Sequence, residues 1–91
     1  MGWAAARKLR RVIDNLRAIL AIEMTTAARA IELRAPLAPA PATAAAVGVL
    51  RARVAGAGPD RWLAPELETA KELLASGAVV DAVNATIGPL L

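Results

Sequence analysis

Three glutamates, Glu66, Glu68 and Glu72, stand close enough in the sequence to resemble a carboxylate cluster. Paired carboxylates can serve as general acid and general base. Here the spacing of two and four residues, with Lys71 among them, is typical of a helix face on which acids interact with the helix dipole and with water. The pattern therefore favours a structural role for these acids over a catalytic one.

The residue types that are missing limit the chemistry further. The sequence holds no His, Cys, Tyr or Phe, which excludes disulfides, thiolate or imidazole metal sites, Ser-His-Asp triads and general-base catalysis by histidine. Asp60 and Arg61 resemble an active pair, but arginine cannot accept a proton. We therefore expect a structural ion pair or hydrogen bond there, and we predict no catalytic, cofactor-binding or metal-binding residue in this chain.

A basic cluster near the start comprises Arg7, Lys8, Arg10 and Arg11. Such a cluster could bind nucleic acid or an anionic lipid surface. The net charge of the chain is only +3, and the aromatic platforms typical of single-strand binding are missing. The longest apolar run, residues 18–22, is far shorter than the about 20 residues that span a bilayer. We therefore interpret the cluster as a polar helix face, with neither nucleic acid nor membrane as partner.

Residues 4–34 position most of these basic groups and are predicted to form one long amphipathic helix. The segment contains neither Gly nor Pro, and its apolar residues recur at steps of three and four, which is the helical period. The apolar stripe consists of Leu9, Ile13, Leu16, Leu20, Met24, Ala27 and Ile31. The opposite, mainly polar face consists of Arg10, Asp14, Arg17, Ala21, Thr25, Arg29 and Glu32.

The apolar stripe is too long to be covered from within the chain. A helix of about 30 residues is roughly 45 Å long, whereas the mean helix has only about 11–12 residues. We therefore expect helices from outside this sequence, or from a second copy, to cover the stripe. Cations at the start of the helix, with no acid or capping residue, further predict that the helix or the protein around it continues upstream of Met1.

The remainder of the chain is predicted as a Pro-rich connector, residues 35–42, followed by two or three short helices over residues 43–91. The second helix is expected to begin with Thr43 as its N-cap and to end near Val54. The third helix has Pro65 in its first turn and Gly77 as a left-handed C-cap, and a fourth is expected over residues 78–87. The predicted fold class is all-α, a single helical segment that is part of a bundle of long helices.

Short motifs occur in a characteristic order along nearly the whole chain. They are Met1-Gly2, Asn15, Leu20-Ala21-Ile22-Glu23, Arg34-Ala35-Pro36-Leu37, Asp60-Arg61-Trp62-Leu63-Ala64-Pro65 and Ser76-Gly77. In this order they resemble the C-terminal end of the aromatic amino acid ammonia-lyases, and among these of the histidine ammonia-lyases. Glu66 stands where that family often has Asp.

The resemblance implies a nearly all-α fold with long helices bundled at the centre of a homotetramer. It also implies a parent reaction, the elimination of ammonia from L-histidine to give urocanate, on a methylidene-imidazolone formed from Ala-Ser-Gly. In the family that tripeptide lies far upstream of the matching segment and is followed by Asp-Leu-Ala-Pro. The other site residues of the family, including a Tyr and a Gln-Glu-Asp-His segment, are also missing from this sequence.

The same tripeptide occurs here in another context, as Ala75-Ser76-Gly77. It ends a predicted helix and is followed by Ala-Val-Val. We therefore interpret Gly77 as a helix C-cap and expect no cofactor to form from these residues.

Together these observations predict a C-terminal fragment, or a truncated paralogue, of a histidine ammonia-lyase-like enzyme. Its role is expected to be structural, its location cytoplasmic, and the chain alone catalytically inactive. Leu9, Ile13, Leu16, Leu20, Met24 and Ile31 are expected to contact a second copy or the missing upstream lyase segment. The alternative is an independent helical interaction module that self-associates through the long helix.

Overall fold

The computed structural model describes residues 2–90, and four α-helices account for most of them. The helices are α1 (Gly2–Glu32), α2 (Pro41–Arg51), α3 (Ala64–Ser76) and α4 (Ala78–Ile87). No strand occurs within residues 2–90, so the predicted all-α fold is confirmed. Met1, the first residue of the Met1-Gly2 motif, lies outside the described part.

The long helix α1 is confirmed, with each end two residues earlier than the predicted bounds of 4–34. Its 31 residues correspond to a length of about 46 Å. Beyond Glu32 the chain continues in tight turns, in which the Ala35 amide donates to the Glu32 carbonyl at 3.2 Å and the Leu37 amide to the Arg34 carbonyl at 3.0 Å. These turns end the helix before the prolines of the connector.

The predicted start of the second helix at Thr43 is wrong, because α2 begins at Pro41 with Ala40 in the N-cap position and no capping side chain. Proline suits the first turn of a helix, since its fixed φ is already helical and its missing N–H would have no partner there. The third proline of the connector therefore starts a helix. After Arg51 a turn follows, in which the Val54 amide donates to the Leu50 carbonyl at 2.8 Å.

The helices α3 and α4 follow the predicted signals closely. Pro65 lies in the first turn of α3, and Gly77 ends that helix with φ 81°, the left-handed conformation expected of a C-cap. The helix α4 begins at the next residue and ends before Gly88, as predicted. One left-handed residue therefore separates α3 from α4 and turns the chain between them.

The helices pack in two pairs, with α1 against α3 and α2 against α4, while α3 also touches α2 and α4. The buried core is small and consists of Ala21, Ala28, Leu50, Val54, Ala70 and Leu73. Half of these residues are alanines, which bury little apolar surface but allow helices to approach closely.

The face of α1 that contacts α3 differs from the prediction. Ala21, placed on the polar face by the sequence pattern, is fully buried, and Ala28 is buried one heptad further on. Ala27, a member of the apolar stripe, is exposed. At about 100° per residue, the buried face lies roughly a quarter of a turn from the centre of the stripe. The short helices thus cover the small-residue face of α1 and leave the large apolar residues largely outside.

Candidate functional site

The apolar stripe of α1 divides into an open part and a half-buried part. Residues 2–17 are all exposed, and within the stripe the exposed fraction is 60 % for Leu9 and 40 % for Leu20. Further along the helix, Met24 and Ile31 are half-buried, and Met24 packs against the core. Four of the six predicted contact residues are therefore exposed within this chain.

Other large side chains widen the open part of the stripe. The exposed set, termed here the open apolar arc, consists of Leu9, Val12, Ile13, Leu16, Ile19, Leu20 and Ile22. At about 100° per residue, these residues cover roughly half of the helix circumference. This is wider than the seam that one partner helix covers in a coiled coil. Large exposed apolar patches mark protein or membrane contact sites.

The basic cluster lies in the same exposed N-terminal half of α1, within residues 2–17. The guanidinium of Arg7 stands 5.9 Å from the ring centre of Trp3, within cation–π range. Trp3 itself is 74 % exposed. Further along, Arg17 pairs with Asp14 at 3.5 Å. These contacts are typical of a solvated helix surface.

A bidentate ion pair joins the end of α1 to the end of α2. Arg51 donates through Nε to Oε1 of Glu32 and through Nη2 to Oε2 at 3.0 Å. The same guanidinium donates to the carbonyl of Ala55 at 3.1 Å. The hydrogen bonds from Arg51 hold the pKa of Glu32 below its ordinary value of 4.5. This arginine thus connects two helices and the loop after α2.

A second arginine, Arg61, organises the same loop from its other end. Its Nε donates to Glu66 at 2.8 Å, and its Nη2 donates to the carbonyls of Ala55 at 3.1 Å and Gly56 at 2.9 Å. The predicted hydrogen bond of the Asp60–Arg61 pair is present, because the Arg61 amide donates to Asp60 Oδ1 at 3.1 Å. The ionic partner of Arg61 is Glu66, however, and not Asp60.

The loop and the two arginines border a cleft of about 210 Å³ with Thr25 and Arg29. Asp60 and Glu66 also line the cleft, whereas Glu68 pairs with Lys71 and Glu72 with Arg53, each at 3.3 Å. In residues 2–90, no three acidic, His or Cys side chains are grouped so that they could hold a metal ion. The ion pairs and hydrogen bonds of the two arginines thus hold the loop after α2 in place.

The Ala75-Ser76-Gly77 tripeptide forms the end of α3. The Ser76 hydroxyl donates to the Leu73 carbonyl at 3.0 Å and accepts from the Ala78 amide at 3.3 Å. The Gly77 amide donates to the Leu74 carbonyl at 3.3 Å. The Ser76 hydroxyl and the Gly77 amide therefore bond to backbone groups of a helix end, in agreement with the predicted cap.

Two features were not predicted from the sequence pattern, the Glu32–Arg51 pair and the burial of Ala21 and Ala28 in the core. Glu32 and Arg51 lie 19 positions apart, a separation that carries no signal. The two alanines do carry a sequence signal, because small residues seven positions apart lie on one helix face.

Over residues 2–90, no helix combines the length and the apolar character required to cross a bilayer.

A family model for aromatic amino acid lyases matches residues 1–52, which is more than half of the chain. The chain therefore belongs to the aromatic amino acid lyase family.

Among its relatives, the histidine ammonia-lyase of Streptomyces avermitilis is 54 % identical over 91 residues and that of Streptomyces griseus 55 % over 93. A third, from Symbiobacterium thermophilum, is 51 % identical over 90 residues. Each alignment covers 99 % of this chain and 18 % of the relative, so the chain spans about a fifth of the length of these enzymes. No solved structure matches it. These matches agree with a fragment of a histidine ammonia-lyase and do not support an independent interaction module.

Proposed function

We propose that this chain is a structural helical segment of a histidine ammonia-lyase-like enzyme, which eliminates ammonia from L-histidine to give urocanate. The identity of 54 % over nearly the entire chain carries the proposal. In this proposal the segment supplies packing surface and no reacting group, and the arginines and glutamates around its cleft, Arg51 with Glu32 and Arg61 with Glu66, form structural pairs. In this proposal the parent enzyme is a cytoplasmic homo-oligomer that acts in histidine degradation.

The apolar stripe of α1 is the surface through which the segment joins the rest of the enzyme. Leaving a large apolar side chain in water forfeits about 1.5–3 kcal/mol. A whole domain has a stability of only about 5–15 kcal/mol, so exposure of Leu9, Ile13, Leu16 and Leu20 together would consume much of that margin. The stripe is therefore covered in the working enzyme, by the preceding lyase portion or by a second copy.

A segment exchange tests this function. The matching segment of the Streptomyces griseus enzyme is replaced, residue for residue along the alignment, by this chain. We expect the chimera to form urocanate from histidine, whereas the purified 91-residue chain forms none above a control without protein. Introducing Ile13→Asp or Leu20→Asp into the chimera should abolish activity, because each places a charge in the covered face.

The matched control is Arg29→Ser, a substitution on the same helix but outside the stripe, which should retain activity. A chimera that assembles but is inactive would contradict the proposed function. Full activity of the Leu20→Asp chimera would show that the stripe is not the joining surface.

A further inference from the structure

Cations border the open apolar arc of α1 along both of its edges. At about 100° per residue, Arg10 and Arg17 lie beside the Ile13 edge of the arc, Arg11 lies beside the Ile22 edge, and Lys8 lies just inside that second edge, between Ile22 and Ile19. Residues 2–22 contain five basic residues and one acid, Asp14, and the next acid is Glu23, which is exposed on the side of the arc at its C-terminal end. Asp14 lies on the back of the helix, away from the centre of the arc, and pairs with Arg17. Whatever covers the arc must therefore face positive charge on either side.

We propose that residues 7–22 of α1 bind an amphipathic helix whose apolar face is flanked on both sides by Asp and Glu. This deepens the proposed function and rests on it, since the helix would belong to the lyase portion that precedes this segment. Apolar contact along the arc provides the affinity. The flanking charges select the partner and its register, because opposite charges at an interface favour the right partner and like charges exclude the wrong one.

A second copy of α1 fits this surface less well. When two copies of α1 pack with their open apolar arcs facing, parallel or antiparallel, an edge of one arc lies against an edge of the other. Each edge within residues 7–17 is cationic. Direct pairing of two copies therefore brings like charges together, at a cost that salt would screen. The complementary partner is acidic, whereas the chain itself is basic with a net charge of +3.

An anionic membrane surface also offers negative charge to a basic amphipathic helix. The arc, however, consists of Leu, Ile and Val alone, without the Trp or Phe that interfacial helices commonly present. Trp3 and Trp62 both lie outside residues 7–22. A cationic border around branched aliphatic residues favours a helix as the partner.

Fluorescence anisotropy with the full 91-residue chain tests the inference. Two labelled helical peptides share one Leu-based apolar face and carry either Glu or Lys at the flanking positions. In about 0.1 M salt, where the Debye length is about 10 Å, the Glu-flanked peptide should bind at least tenfold more tightly. In about 1 M salt, where that length is about 3 Å, the preference should largely disappear.

Charge reversal assigns the effect to the edges. The double variant Arg10→Glu, Arg11→Glu alters one residue on each edge and should invert the preference for the peptides. Arg53→Glu, which makes the same change on an exposed arginine after α2, should leave the preference in place. Circular dichroism checks that each variant keeps its helix content.

Equal binding of both peptides, or binding of neither, would overturn the inference. So would tighter binding to vesicles of phosphatidylcholine with phosphatidylglycerol than to the Glu-flanked peptide, since the surface would then be membrane-directed. The outcome is separable from the chimera assay. An active chimera without peptide preference removes this inference alone, and an inactive chimera with the preference intact removes the proposed function alone.

Discussion

Arg51 holds together parts of the chain that are distant in sequence. Its guanidinium contacts both carboxylate oxygens of Glu32 and the loop carbonyls that follow α2. The exposed fraction is 19 % for the Arg51 side chain and 34 % for Glu32, so water screens the pair only in part. The loop lies close by, since a Cβ on Gly56 would stand 3.3 Å from Glu32 Oε2. The pair therefore fixes the end of α1 relative to α2.

The first prediction concerns the pH dependence of this pair. The pKa of Glu32 is lower in the folded chain than its ordinary value of 4.5. Its stabilising contribution is thus present above that value and is lost as the pH falls through the folded pKa. Glu32→Gln should lower the free energy of unfolding by about 1 kcal/mol near neutral pH. At about pH 2–3 the difference in stability between the variant and the parent chain should be smaller than near neutral pH.

Urea unfolding followed by circular dichroism at the two pH values measures the difference. Glu68→Gln is the matched control, because it removes the exposed pair with Lys71 and should cost only a few tenths of a kcal/mol, about 0.2–0.5. An equal loss for Glu32→Gln at both pH values would contradict an ionic role for Glu32.

The second prediction compares two glycines whose backbones differ. Gly77 has φ 81°, whereas Gly48 lies inside α2 with open space around the position of a Cβ. Gly77→Ala should destabilise the chain by about 1–2 kcal/mol, since a Cβ is strained in the left-handed region. Gly48→Ala should stabilise it by about 0.5–1 kcal/mol, because alanine favours the helix.

The midpoint of thermal or urea unfolding measures both variants. A third variant, Ser76→Ala, should leave the near-ultraviolet absorption unchanged, because the tripeptide is a helix end. Stabilisation by Gly77→Ala would refute the assignment of Gly77 as a left-handed cap.

At the scale of elements, the number, type and order of the helices could be predicted from the sequence. The signals are local: long runs without Gly or Pro, apolar residues at steps of three and four, Pro65 and Gly77. They suffice because the hydrogen bonds of a helix also join residues that are close in sequence. The start of α2 was missed because Pro41 belongs to a run of prolines. In such a run, a proline that begins a helix has the same local appearance as one that interrupts it.

The packing face of α1 and the contacts of Arg51 could not be predicted from the same pattern. Hydrophobic periodicity gives weight to large residues, which cluster on the apolar stripe. Within this chain the face that is buried is the one where Ala21 and Ala28 let α3 approach. On α1 the small residues therefore mark the contacts within the chain, and the large residues are left for the proposed partner.

The third prediction is a gradient of amide exchange along α1. Residues 21–32 carry the contacts with α3 and the pair with Arg51, whereas residues 2–17 are exposed on all sides. A helical stretch of about 16 residues without tertiary contacts is marginal in water. In the isolated chain, amides of residues 5–16 should therefore exchange much faster than those of residues 21–32 and of the buried part of α3.

Hydrogen exchange followed by mass spectrometry or by nuclear magnetic resonance measures the gradient. The connector amides before Pro41 should exchange fastest. Binding of the Glu-flanked peptide should protect residues 7–22 and leave α4 unchanged. Uniform protection along α1 in a monomeric chain would show that its first half is stabilised without a partner.

At the scale of the whole molecule, the chain is thin and incompletely covered. It measures 54 × 37 × 17 Å, and its shortest dimension is about one and a half times the helix diameter of about 10–12 Å. Six residues form the buried core, while the exposed large hydrophobic residues include Trp3 and the open apolar arc on α1 together with Leu33, Leu37 and Trp62. This distribution is typical of a segment that is completed by other helices.

The last prediction is that the isolated chain either self-associates through residues 9–31 or is only partly folded. Burial of the open apolar arc recovers about 1.5–3 kcal/mol for each large side chain, which favours association even against the like charges at the edges of the arc. Sedimentation equilibrium should therefore show an oligomer that strengthens as salt screens those charges. Ile13→Asp and Leu20→Asp should each abolish the oligomer, and Arg29→Ser should leave it in place.

A monomer at high micromolar concentration that unfolds in one sharp transition would show that the packing among the four helices is enough to keep the chain folded. The exposed arc would then give no support to a missing partner, and the relation to the lyases would rest on sequence identity alone.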